Sequence, residues 1–205
     1  MLVCDDSGVS TTVDAQELRR LMASWATGVA VVTSRDDSGH RGATTNALTS
    51  LSLDPPLVLV ALDHGSNTLE AVRNSGRFCI NVLAADQEEI ARRFATKASG
   101  EEKLAGVPHE LVDGVPVLRG AIAWLACELD AELAGGDHTI LLGRPLEAGS
   151  HPTAQPLVFY GRRFHAGTFD RRAPAVFSSP GHPVGVTPAH SPAGKCPVKR
   201  CKGTS

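Results

Sequence analysis

Between Gly42 and Val60 the chain reads GATTNALTSLSLDPPLVLV, and Thr44, Thr45, Asn46, Thr49, Ser50 and Ser52 fall within nine residues of it. Hydroxyls and an amide at this density cannot all face an apolar core, because each buried polar group needs a hydrogen-bonding partner. Two arrangements satisfy them: a pocket for a polar ligand rich in donors and acceptors, or a solvated connection between strands. The residues alone leave both open. Other chemistries are poorly provided for. The chain contains neither GxGxxG nor GxxxxGK[ST], which removes the Rossmann fingerprint and the P-loop. HExxH and GxSxG are absent too, and with them the common zinc-protease and hydrolase signatures. No two carboxylates stand out as an acid/base couple. His64, His109, His138, His151 and His165 are too dispersed to mark a metal site by spacing.

Composition bounds the rest. A chain of 205 residues fits one ordinary domain with room for tails. A hydrophobic share of 42% and a charged share of 20% are those of a globular protein. The formal net charge of −2 gives no electrostatic case for nucleic acid or an anionic membrane. No apolar run approaches the roughly 18–20 residues that span a bilayer. MLVCDDSGVS lacks the basic and apolar regions of a secretory signal, so the expected location is the cytoplasm. Cys79 and Cys127 lie in apolar runs and read as buried thiols. Cys196 and Cys201 share a polar tail, where a lone C-x4-C could pair, bind metal or do neither.

The elements that must position these residues are legible in outline. Residues 1–13 read as a disordered leader, 14–170 as one domain, and 171–205 as a disordered tail rich in Pro, Gly, Ser and Lys. Asp14 with Glu17 suggests a capped helix whose Leu18, Leu21, Met22 and Trp25 form one buried face, ending at Gly28. Val29–Ser34 is a strand, and 36–42 is a turn. After Pro55-Pro56, Leu57–Leu62 is apolar on both faces and is expected centrally in a sheet. Ser66 opens a helix bearing Leu69 and Val72, and Gly76 closes it. Phe78–Leu83 is a strand, and Asp86 with Glu89 caps a helix that turns Ile90 and Phe94 inward. Lys97–Val107 reads as a loop. Ala121–Leu133, His138–Pro145 and Leu157–Phe164 complete a mainly β chain with short helices. Without regular βαβ alternation, an antiparallel barrel or sandwich is predicted.

Four segments then occur in order: WATGVAVVTS (25–34), NALTSLSLDPPLVLVALDHGSNTLEAV (46–72), SGRFCINVLAADQEEIARRFA (75–95) and GDHTILLGRP (136–145). Together, from about Asp14 to Phe169, they resemble the flavin reductase family of two-component monooxygenase systems. The resemblance implies an FMN-binding split β-barrel, antiparallel and Greek-key-like, assembled as a homodimer with flavin near the subunit interface. It implies NAD(P)H-dependent reduction of FMN or FAD and delivery of reduced flavin to a partner monooxygenase. Hydride passes between the cofactors, so no catalytic side chain and no metal is expected. Thr44, Thr45, Asn46 and Ala47 would lie along the ribityl chain and ring, with Ser50, Leu51 and Ser52 near the ring edge. Ala61, Leu62, Asp63, Ser66, Asn67 and Thr68 would form the adjoining wall. Phe94 and Ala95 would belong to the flavin pocket, with Arg93 or Lys103 reaching a phosphate. His138, steadied by Asp137, would touch the nicotinamide of NADH or NADPH, with Tyr160 approaching from the last strand and Phe164 beside it. Two other readings stay open: a flavoprotein that retains FMN as an oxidase or redox sensor, and a binding module that docks through Lys195–Lys202.

Overall fold

The computed structural model describes residues 13–151, 153–167 and 169, so the leader up to residue 12 and the tail lie outside it. In chain order the elements are α1 (Ala15–Met22), β1 (Thr27–Gly28), β2 (Ala30–Asp36), β3 (Gly39–Thr45), β4 (Leu48–Leu53) and β5 (Pro56–Asp63). Next come α2 (Asn67–Ser75), β6 (Arg77–Val82), α3 (Glu88–Phe94) and α4 (Gly100–Leu104). The chain continues with β7 (His109–Val112), β8 (Val115–Leu118), β9 (Ala123–Gly135), β10 (His138–Ser150), β11 (Leu157–Tyr160) and β12 (Arg163–Ala166). The protein is mainly β with a few short helices.

One seven-stranded antiparallel sheet runs β3-β2-β6-β9-β10-β5-β4; β1-β11-β12 and β7-β8 form two smaller sheets. The two edges of the large sheet, β3 and β4, are consecutive in sequence, with Asn46 and Ala47 alone between them. So short a link forces the sheet to curl until its edges meet. There the Ala61 N–H donates to the Ala47 carbonyl at 3.0 Å, and Thr45 Oγ1 donates to the Ala61 carbonyl at 3.4 Å. Among the described residues no ladder joins β3 to β4, so the curled sheet is not a closed barrel.

The most deeply buried strands are β2 and β6, which bury residues on both faces. Val32, Val60, Leu69, Val72, Phe78, Ile80 and Leu141 pack on one side of the core. Val31, Leu83, Phe94, Leu104, Leu118 and Leu157 pack on the other. Polar residues within this core are paired. The Ser34 hydroxyl donates to the Arg77 carbonyl at 2.7 Å. Asn81 donates to Thr33 Oγ1 at 3.1 Å and accepts the Leu118 N–H at 2.8 Å. Cys79 and Cys127 are buried free thiols. Burial holds both thiols protonated, pushing Cys127 up to about 12 and Cys79 higher still.

Several sequence expectations are corrected. The Leu18, Leu21, Met22 and Trp25 face is exposed, at 53%, 47%, 54% and 65%, because no element among the described residues lies over it. The helix ends at Met22, well before Gly28. β5 is not central; it stands next to the edge, with Val60 and Leu62 as its buried residues. Asp86 does not cap α3. Gln87 holds the N-cap position, and its side chain accepts the Ala84 N–H and donates to the Arg119 carbonyl. The expected loop at 97–107 contains α4, secured by a reciprocal Ser99–Glu102 capping box. The turn expected over 36–42 is shorter, since β3 begins at Gly39. Asp113-Gly114 and Gly161-Arg162 turn with positive φ at both residues, as tight hairpins need. The first creates the unforeseen β7–β8 hairpin, and the second divides Leu157–Phe164 between β11 and β12.

Candidate functional site

A cleft of about 470 Å³ opens beside the meeting edges of the sheet. That volume lies within the range of small-molecule sites. Its floor is β3 from Arg41 to Thr45 together with the end of β5, Ala61 to Asp63. β3 pairs with β2 on one side only; on the other, Glu101 takes the His40 N–H and Lys103 the Gly42 carbonyl, and the remaining outward main-chain groups are left to a ligand. Gly65 and the first turn of α2 (Ser66, Asn67, Thr68) form one wall. Phe94 to Ala98, Gly100 and Lys103 form the opposite wall, and His138 closes one end.

Close approaches explain two glycines. A Cβ on Gly42 would stand 2.4 Å from the Phe94 ring, and one on Gly100 would stand 1.7 Å from the His40 carbonyl oxygen. Glycine at these positions lets α3 and α4 lie directly against β3. Glu101 fastens α4 further by accepting the His40 N–H at 3.0 Å, and that bond holds its carboxyl below the usual range. Across the cleft, Ser66 caps α2 by accepting the Thr68 N–H at 3.3 Å, while Asp63 Oδ1 accepts the Gly65 N–H at 2.7 Å. The positive end of that helix therefore faces the cleft, a setting suited to an anion.

The structure brings together Thr44, Thr45, Ala61, Leu62, Asp63 and the Ser66–Thr68 turn with Phe94, Ala95, Lys103 and His138. The threonine hydroxyls are already engaged. Thr44 Oγ1 donates to the Ala91 carbonyl at 2.7 Å, and Thr45 Oγ1 accepts the Ala47 N–H at 3.0 Å. Thr44 and Thr45 thus fix the frame of the cleft as well as lining it. Lys103 is buried, its ammonium donating to the Gly42 and Phe94 carbonyls at 3.0 and 3.3 Å. Burial lowers its pKa. His138 Nδ1 lies 2.7 Å from Asp137 Oδ1, and this hydrogen bond holds the Asp137 carboxyl below its usual range. A carboxylate on Nδ1 favours the proton there and leaves Nε2 to the cleft.

Other expected residues stand apart. Asn46 lines a separate depression of about 240 Å³ with Trp25 and Leu48, and its amide donates to Thr27 Oγ1 at 3.2 Å. Ala47 lies at the link between the sheet edges. Ser50, Leu51 and Ser52 are on the edge strand β4, where Leu51 is exposed and none of the three lines the cleft. Tyr160 is exposed on β11, away from the cleft. Phe164 packs against Phe159 with ring centroids 5.3 Å apart. Arg93 turns to the Ala105 carbonyl and Glu89. Conversely, Arg41, Thr96, Lys97 and Gly100 line the cleft unforeseen, because their segments read as turn and loop. A lysine and an arginine flanking small residues were the available signal.

The cleft therefore offers free strand-edge groups, a helix N-terminus, a histidine and an excess of cations, with no nucleophile–base pair. That donor set fits an anionic, multiply hydrogen-bonding ligand better than a group to be attacked. Residues 22–168 match the family described as flavin reductase like domain. A flavin reductase from Pseudomonas putida is 36% identical over 156 residues, covering 74% of this chain and 89% of its own. An NADH-dependent flavin reductase from a Rhodococcus species is 38% identical over 152 residues, covering 73% and 84%. Among solved structures, the Streptomyces globisporus C-1027 NADH:FAD oxidoreductase SgcE6, in complex with NAD and FAD fragments, superposes with a TM-score of 0.71. It is 35% identical, over 80% of this chain and 99% of that one. The chain belongs to the flavin reductase like family.

Proposed function

We propose that this protein is an NAD(P)H:flavin oxidoreductase that reduces FMN or FAD and supplies the reduced flavin to a partner monooxygenase. The observation that carries the reading is the cleft itself, built within the family-matching region from main-chain donors, capped helix and cations without a nucleophile. When bound, the nicotinamide delivers hydride from C4 to flavin N5, chemistry that belongs to the cofactors. The chain's task is to hold the two rings with reacting atoms about 3–3.5 Å apart and to exclude water. Thr44, Thr45 and the open edge of β3 hold the flavin, with Ala61, Leu62, Asp63 and the Ser66–Thr68 turn as one wall and Phe94, Ala95 and Lys103 as the other. Strand-edge N–H donors stabilise the negative charge that develops on the ring. His138, set by Asp137, meets the nicotinamide.

The same reading extends to assembly. The curled sheet is a split barrel, and its homodimer covers apolar residues that one chain leaves exposed. Leu51 and Leu53 on the β4 edge and the α1 face support this. In such a dimer Asn46, Ala47, Ser50, Leu51, Ser52 and Tyr160 act at the interface side of the flavin. Gel filtration is expected to give twice the chain mass; a stable monomer counts against the dimer. No helix among the described residues is long and apolar enough to cross a membrane, and we place the enzyme in the cytoplasm. Steady-state kinetics with each flavin and nicotinamide pair test the activity. NADH or NADPH oxidation is expected to require added flavin; oxidation that is equal without it, or absent with it, overturns the proposal.

A further inference from the structure

Helix α2 is joined to the sheet by more than its apolar face. Leu69 and Val72 pack with Leu141 in the core, and the last turn of the helix also sends out Arg73. Its Nε lies 3.2 and 2.9 Å from the two carboxylate oxygens of Glu132 on β9, and its Nη2 lies 2.8 Å from the second of them. The same Nη2 donates to Thr139 Oγ1 on β10 at 3.3 Å. Thr139 is buried and stands next to His138, which closes the cleft. Among the described residues, Arg73 is the one side chain of α2 that hydrogen-bonds to β9 or β10. The β9–β10 tip beyond this point is thinly held. It turns through Gly136, at φ +75°, and Asp137, and residues 133–137 are exposed. β5 supports one edge of it, with Asp63 opposite His138, and the His64 N–H donates to the Asp137 carbonyl at 3.1 Å. Arg73 supports its face. One guanidinium thus ties the helix that starts at the Ser66 wall to the strand that carries His138.

We propose that Arg73 is a positioning residue for hydride transfer: its clamp on Glu132 and Thr139 fixes how His138 presents the nicotinamide to the flavin. The inference rests on the flavin reductase reading above and deepens it. The Arg73 and Glu132 side chains are 47% and 28% exposed, and an ion pair that open adds little stability. Its planar fork sets direction as well as distance, so what it contributes is orientation. Hydride transfer is sensitive to orientation, since a displacement of about 1 Å can cost about a hundredfold in rate. The flavin, held by β3, α2 and α4, does not depend on the β9–β10 tip, whereas the nicotinamide at His138 does. Loss of the clamp therefore separates the two substrates.

The test is steady-state NADH oxidation with FMN or FAD by Arg73→Gln, alone and combined with His138→Ala. Arg73→Gln is expected to lower kcat/KM for NADH by about tenfold, to leave the flavin KM within about twofold, and to keep the urea midpoint. NADH deuterated at C4 is expected to show a larger isotope effect on kcat in Arg73→Gln, because a misplaced ring slows the hydride step itself. With His138 already replaced by alanine, Arg73→Gln is expected to add no further loss, since it acts through that residue. An unchanged kcat/KM for NADH overturns the inference, and so does a full second loss in the double variant. A flavin KM that rises as much as the NADH KM, with a lowered urea midpoint, shows a merely structural role and also overturns it. If Arg73→Gln does not fold, Thr139→Val, which keeps the ion pair and removes only the hydroxyl, decides by the same readouts. Absence of turnover by the unsubstituted protein with either flavin defeats the reductase reading; full turnover by Arg73→Gln defeats only the role of Arg73.

Discussion

Helices α1 and α2 carry the same pattern and meet opposite fates. Each is short, each has a side-chain oxygen at its N-cap, Asp14 or Ser66, and each spaces apolar residues along one face. α2 buries Leu69 and Val72 completely against the sheet, whereas α1 buries nothing. Periodicity therefore states that a face exists, not what covers it. The difference follows from connection. α2 is held between β5 and β6, with Gly76 in the left-handed conformation returning the chain to the sheet. Among the described residues α1 is joined only to β1, a strand two residues long.

Core truncation sharpens this contrast most. Leu69→Ala is expected to cost about 2–5 kcal/mol of stability, while Leu18→Ala is expected to change it by less than about 0.5 kcal/mol. Urea denaturation at low protein concentration measures both. Equal losses would show that the α1 face is already covered, and the contrast would break. Next in size is Gly100→Val, which sets a side chain against the His40 carbonyl. Overpacking of that kind costs about 1–3 kcal/mol, and it should raise the flavin KM because α4 is a wall of the cleft. Unchanged KM and stability would mean α4 does not lie as described.

Caps come third. Ser66→Ala is expected to cost about 1 kcal/mol and Ser66→Gly only a few tenths. Asp14→Ala should cost less than Ser66→Ala, since unwinding α1 uncovers no core. A larger loss at Asp14 would again show hidden packing of α1. The smallest effects are those of pH. The Ser99 N–H lowers the Glu102 pKa, and the His40 N–H lowers that of Glu101. Both are depressed on folding, so their contribution is present above the ordinary carboxylate range and is lost as pH falls through the lowered values. Amide resonances of α4 are expected to shift on acidification only once the pH has fallen below the ordinary carboxylate range; a shift within that range would contradict the lowered values. At the alkaline end, burial makes Lys103 lose its proton sooner than an ordinary lysine, so FMN affinity should decline before the usual lysine range is reached.

Much of this was legible in the chain. The α2 start at Ser66 and stop at Gly76, the strands around Val31, Ile80 and Leu141, and the polar run on β3 all follow from local pattern. The sequence also points to Thr44, Thr45, Phe94 and His138, which the fold brings to one cleft. What the sequence could not disclose depends on distant partners. Lys103 reads as a solvated charge until α4 lies on β3, and α4 exists beside Gly100 because glycine tolerates the His40 carbonyl. The polar run also divides. Thr44 and Thr45 end inside the cleft while Ser50 and Ser52, a few residues on, occupy the opposite sheet edge. The two-residue link Asn46-Ala47, which passes the chain from β3 to β4 and is invisible to periodicity, separates them. The Asp113-Gly114 dipeptide carries the signal of a tight hairpin turn in the sequence itself.

The central claim is that this cleft brings a reduced nicotinamide to a flavin. Anaerobic mixing of NADH with excess FMN and a catalytic amount of protein tests it without any oxygenase. The account predicts bleaching of the flavin absorbance at a rate proportional to protein concentration and continuing through many turnovers. A rate equal to that of NADH and FMN alone would contradict it.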